Sequence, residues 1–134
     1  MSHREQLIAR LRERLHGLAL RTLYDFKQKK KQEVRAHIEH LTMVRDCFMG
    51  KFESEYNEKK ILLHDPNERS EFKKMFQEHI NAYDQEYKKN CQEAIATAER
   101  EVAEYSERLW KETEQEVLYS LPGGAFDRLA DMHS

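Results

Sequence analysis

The chain has 134 residues, 36% of them charged and 39% hydrophobic, with four Gly, two Pro and two Cys. That length fits one domain, and so little Gly and Pro argues against a loop-rich or β-rich fold. The 23 Lys and Arg against 25 Asp and Glu give no global pull toward nucleic acid or anionic membrane. No apolar run approaches the ~20 residues of a membrane span, and no signal-peptide core follows Met1. Two distant Cys make no disulfide framework and point to a reducing, intracellular compartment, the cytoplasm.

Helix formers dominate from the start, and the first predicted helix runs over about residues 4–63. Its first-half apolar stripe is Ile8, Leu11, Leu15, Leu18 and Phe26, with polar Thr22 inside it. Val34, Ile38, Leu41, Val44, Phe48, Phe52 and Tyr56 form its second-half stripe. Gly17 and Gly50 lie inside the helix. Each costs about 1 kcal/mol relative to Ala, so the sequence allows a bend or short break near Gly17.

The strong interior break is His64-Asp65-Pro66-Asn67-Glu68. Pro66 suits a first helical position, where its missing N–H is not needed. Asp65 suits the N-cap, and Glu68 completes a capping-box-like pattern. The second predicted helix therefore covers about residues 66–121. Its stripe is Phe72, Phe76, Ile80, Tyr83, Tyr87, Cys91, Ala94, Ala98, Val102, Tyr105 and Leu109. The steps of 4, 4 and 3 repeat, an 11-residue period that keeps one apolar face along a nearly straight helix. Leu121-Pro122-Gly123-Gly124 is a stop signal. In the tail, 122–134, Phe126, Leu129, Ala130 and Met132 recur at roughly helical spacing and suit a two-turn helix over 125–132.

A two-residue link most easily turns long helices back antiparallel. Charge agrees. Residues 1–35 hold ten Lys/Arg and four Asp/Glu, whereas residues 93–116 hold eight Glu and three Lys/Arg. In a hairpin turning at Asp65, residue 30 lies opposite roughly residue 100, so the basic half of one helix runs along the acidic half of the other. A single continuous helix would carry Pro66 at a cost of about 3 kcal/mol. The expectation is one all-α domain over 1–134, an elongated, coiled-coil-like antiparallel two-helix hairpin of roughly 85 Å, with a short C-terminal helix or tail.

At the open end the sequence supplies more apolar surface than two helices need. Leu15, Leu20, Leu23, Tyr24, Phe26, Trp110, Leu118, Leu121 and Phe126 are the candidate partner-binding residues there, covered either by the folded-back tail or by a docked protein. A second candidate is the basic patch of Lys27, Lys29, Lys30 and Lys31, which could grip nucleic acid or an anionic membrane. No aromatic residues interleave with these lysines to make a stacking platform.

Metal sites are poorly supported. Glu13-x-x-His16 stands alone, whereas carboxylate di-metal bundles use two such motifs. His37, His40 and Cys91 make at most three ligands where zinc needs about four. No phosphate loop or nucleophile elbow is present, and a helix pair is not expected to hold an enzyme-sized pocket. No enzyme activity, cofactor, metal or small-molecule substrate is therefore expected. The reading is a non-catalytic structural or adaptor subunit that binds protein partners through long helical faces and an apolar open end. The partner is a foreign protein or another copy of the chain. The alternatives are a hairpin binding nucleic acid or anionic membrane through its lysines, and a self-assembling coiled coil.

Overall fold

A computed structural model describes residues 2–120. Helix α1 spans His3–Ile61 and helix α2 spans Pro66–Ser120, and the two long helices pack against each other as an all-α hairpin. The expected tail helix over 125–132, and with it Leu121 and Phe126, lies outside the described residues.

Local chemistry fixes the helix ends. At the start of α1, Glu5 N donates to Ser2 Oγ and Ser2 N donates to Glu5 Oε2, each at 3.2 Å. This reciprocal capping box satisfies two orphan amides at once. At its other end, Leu62 N bonds to Lys59 O and Leu63 N to Lys60 O. These tight three-residue bonds close the last turn. Asp65 then caps α2: its Oδ1 accepts from Asn67 N at 3.0 Å, and its carbonyl accepts from Arg69 N at 3.0 Å. Arg69 Nε reaches back to the Leu63 carbonyl, so one side chain ties the end of α1 to the start of α2.

Helix α1 runs unbroken through Gly17 and Gly50, so no break falls near Gly17. The helix's own hydrogen-bond ladder outweighs a propensity deficit of about 1 kcal/mol per glycine.

The packing divides into two units. Among the described residues, one joins those up to Lys31 to those from Glu99 to Ser120, and the other is Gln32–Ala98.

The Gln32–Ala98 unit is held by aromatic stacking. Tyr56 stacks on Phe76 with ring centroids 4.1 Å apart and on Phe72 at 5.2 Å. Phe52 stacks on Phe76 at 5.3 Å, and Phe48 on Tyr83 at 4.4 Å. Interplanar angles of 10° to 23° make these rings near-parallel, a favourable arrangement when the faces are offset. Further along, Thr42 Oγ1 and Tyr87 Oη share a hydrogen bond. The Arg45 guanidinium sits 4.8 Å over the Tyr87 ring and 2.7 Å from Asp84 Oδ1. Phe48 and Val44 sit nearer the rim than their stripe positions suggest, at 46% and 47% exposed. Met49 and Arg45 are the partly buried residues beside them.

The other unit holds every buried residue among those described: Ala19, Leu23, Thr113 and Val117. The stripe on α1 here passes through Ala19 and Leu23, which corrects the expected line through Leu18 and Thr22, both of them exposed. Steps of four from Leu15 to Leu23 keep the small Ala19 where the helices approach. On α2 the stripe extends past Leu109 to Thr113 and Val117. A buried hydroxyl is tolerated there because Thr113 Oγ1 donates to the Leu109 carbonyl at 2.7 Å.

Candidate docking surface

In the unit that contains the start of α1, facing residues define the register. Phe26 stacks on Tyr105 with centroids 4.0 Å apart. Lys30 Nζ pairs with Glu101, where a hairpin turning at Asp65 puts residue 30 opposite about 100. Nearer the end of the helices, His16 Nε2 lies 2.9 Å from Glu114 Oε1, and Arg12 Nε lies 3.4 Å from the same oxygen. The His16 ring meets Trp110 edge-on at 5.2 Å. Basic α1 thus pairs with acidic α2.

These contacts set the carboxylates. The hydrogen bond from His16, helped by Arg12, holds Glu114 below the ordinary glutamate range, against the opposing effect of burial. Lys30 does the same for Glu101. In the Gln32–Ala98 unit, Lys88 and then Arg45 lower Asp84.

The seven described residues of the expected open-end surface separate. Leu23 is 7% exposed and belongs to the interior of the helix pair, which removes it from the docking surface. Phe26, Leu15 and Trp110 are partly buried, with Phe26 and Trp110 engaged by Tyr105 and His16. Leu20, Tyr24 and Leu118 stand out at 57%, 61% and 57% exposed. Leu18 and Tyr119, which were not singled out as partner-binding, are also exposed. Leu18 follows Leu15 by a step of three, whereas the buried face steps by four from Leu15 to Ala19 and Leu23.

The lysines separate as well. Lys30 is tied to Glu101 and lies 5.6 Å over the Phe26 ring, whereas Lys27, Lys29 and Lys31 are exposed. His37 and His40 are exposed and Cys91 is partly buried. Among the described residues no group of three or more His, Cys, Asp or Glu is placed to hold a metal ion. Glu13-x-x-His16 resolves into a link across the pair, since His16 turns to Glu114.

One cavity exceeds what a helix pair was expected to offer. A groove of about 330 Å³ lies along Phe48, Met49, Phe52, His79, Ile80 and Tyr83, at the small end of ligand-pocket sizes. Its walls are mainly apolar. No described helix is long and apolar enough to cross a membrane.

Over the described residues the chain is an all-α helix pair with mixed apolar and charged faces. Comparison with known protein families, with curated proteins and with solved structures gives no match.

Proposed function

We propose that the protein is a non-catalytic structural or adaptor subunit that binds protein partners through its helical faces. The observation that supports this reading most directly is the exposure of Leu20, Tyr24 and Leu118 in the same unit that buries Ala19, Leu23 and Val117. Large apolar side chains kept in water forgo about 25 cal/mol per Å² that burial would return. Exposed apolar side chains of this size are where a partner would gain most from docking, and charged neighbours would set the orientation of what docks there.

The test is Leu20→Glu combined with Leu118→Glu, both at exposed positions that leave the interior intact. Cell extracts containing the tagged wild type are expected to show it in a species heavier than the purified chain, and the double variant is expected to lose that species. Identical elution of the two would sink the proposal.

The exposed Lys27, Lys29 and Lys31 support a second reading, an electrostatic grip on nucleic acid or anionic membrane. Such binding weakens steeply with salt. Replacing the three by Gln should abolish it, and retained affinity would refute it.

A further inference from the structure

We propose that the outer side of α1 between Arg10 and Lys31 grips the phosphate backbone of double-helical nucleic acid without reading its sequence. This grip rests on the electrostatic reading above, adds three arginines to its lysines and names its partner.

Between residues 10 and 31, α1 carries eight Lys/Arg and two acids, Glu13 and Asp25. Two of the eight turn to α2, Arg12 to Glu114 and Lys30 to Glu101. The other six, Arg10, Arg14, Arg21, Lys27, Lys29 and Lys31, are exposed. Among the described residues none of these six enters an ion pair. Helix geometry spreads them over the side of α1 away from α2. Leu15, Ala19 and Leu23 mark the inner line. At about 100° per residue, Arg10, Arg14 and Arg21 fall within about 40° of one another and opposite that line. Lys29 stands on one flank of the arginine row, and Lys27 and Lys31 stand on the other. The cationic arc runs along the helix for roughly 32 Å, close to one turn of a duplex.

The arc suits duplex phosphates better than other polyanions. Arginine presents a planar fork that matches phosphate oxygens. A rigid row of cations also suits a rigid, regularly spaced array of charge. A bilayer fits poorly, because an interfacial helix buries an apolar face. Here Leu18 and Leu20 project about 160° apart, one on each flank, with the arginines between them. A single strand fits poorly as well. Tyr24 is the one exposed Phe, Trp or Tyr between residues 10 and 31 on which a base could stack. The acids of α2 do not cancel the arc. The axes of packed helices lie about 8–10 Å apart, and the arginine row points away from α2. That puts it beyond the ~8 Å over which exposed charges act at physiological salt.

The test uses the full chain and labelled duplexes of about 24 base pairs, somewhat over two turns, in two unrelated sequences. Affinity is read by fluorescence anisotropy, with co-sedimentation on phosphatidylserine vesicles beside it and circular dichroism as the control for helix content. The wild type should bind both sequences equally. Its affinity should fall roughly a thousandfold between about 50 and 200 mM NaCl, as some six phosphate contacts require. One variant carries Arg10→Gln, Arg14→Gln and Arg21→Gln and keeps all three lysines. It should weaken duplex binding at least about tenfold at about 100 mM NaCl and roughly halve the slope of log affinity against log salt. A second variant carries Lys73→Gln, Lys74→Gln and Lys89→Gln, which removes three exposed cations from the Gln32–Ala98 unit. Its affinity should stay within about twofold of wild type.

An arginine variant that binds duplex like wild type overturns the proposal. So does a second variant that loses as much affinity as the first, a strong preference for one of the two sequences, or binding to vesicles with none to duplex. These outcomes leave the electrostatic reading standing as long as Lys27→Gln, Lys29→Gln, Lys31→Gln still loses whichever polyanion the wild type binds. A wild type that binds neither duplex nor vesicles at about 100 µM protein and about 50 mM NaCl removes both.

Discussion

At Gly17 and Gly50 the chain carries a deficit that nothing in the packing requires. Both lie inside continuous α1. A Cβ built at either position meets no atom within 4 Å, and neither has positive φ. Gly is therefore not needed for a close approach or a left-handed turn, and its main effect is the extra backbone entropy of the unfolded chain. Gly17→Ala and Gly50→Ala should each stabilise the fold by roughly 0.5–1 kcal/mol, visible as a higher urea midpoint with an unchanged slope. A loss of stability at either position would mean that the glycine does more than occupy helix. The same scale shows where local sequence was plain and where it was not. Asp65-Pro66 announced a helix start, and Asp65 caps α2 through Asn67. The Ser2/Glu5 box is a Ser-x-x-Glu pattern two residues ahead of Leu7 and Ile8, and it starts α1 at His3, one residue before the expected start at about residue 4.

Along an element, legibility depended on which residues carry the stripe. All eleven residues of the 11-residue pattern in α2 are partly buried, because aromatic and aliphatic side chains mark that face without competition. α1 was harder to read. Leu18, Leu20 and Tyr24 are as apolar as the residues that reach the interior, so hydropathy alone could not choose among them. The choice fell to Ala19 and Leu23, and Ala19 is small enough to be passed over in a pattern search. In the Gln32–Ala98 unit, the stacked rings should dominate the energetics. Phe76 contacts both Tyr56 and Phe52, whereas its neighbour Met75 is 55% exposed. Phe76→Ala is expected to cost about 2 kcal/mol, less than a fully buried Phe because the ring is partly exposed. Met75→Ala should stay within about 0.5 kcal/mol of wild type. Equal effects in denaturant titrations would show that the stacking column does not hold this unit.

Over the whole molecule unlike charges pair both across the two helices and along α2, and acid should undo those pairs. Glu114, Glu101 and Asp84 are all held below their ordinary values, by His16, Lys30 and Lys88 respectively in first place. A carboxylate with a depressed folded-state pKa contributes stability that is fully present above its unfolded value. That contribution is lost as pH falls through the folded one. The melting temperature should therefore change little on this account down to about pH 5. It should drop below about pH 4, where unfolded carboxylates take up protons before the folded ones do. Below that point 23 Lys and Arg and seven His stand with few anions to oppose them, and repulsion steepens the fall. Glu114→Gln separates the two causes. It removes one depressed carboxylate at the His16–Arg12 contact and leaves every cation in place. Its melting temperature should be lower than that of wild type at neutral pH, and the difference should narrow as the pH approaches about 3. Parallel curves for the two proteins across that range would mean that the Glu114 contacts, short as they are, contribute nothing to acid sensitivity, and that repulsion alone accounts for it.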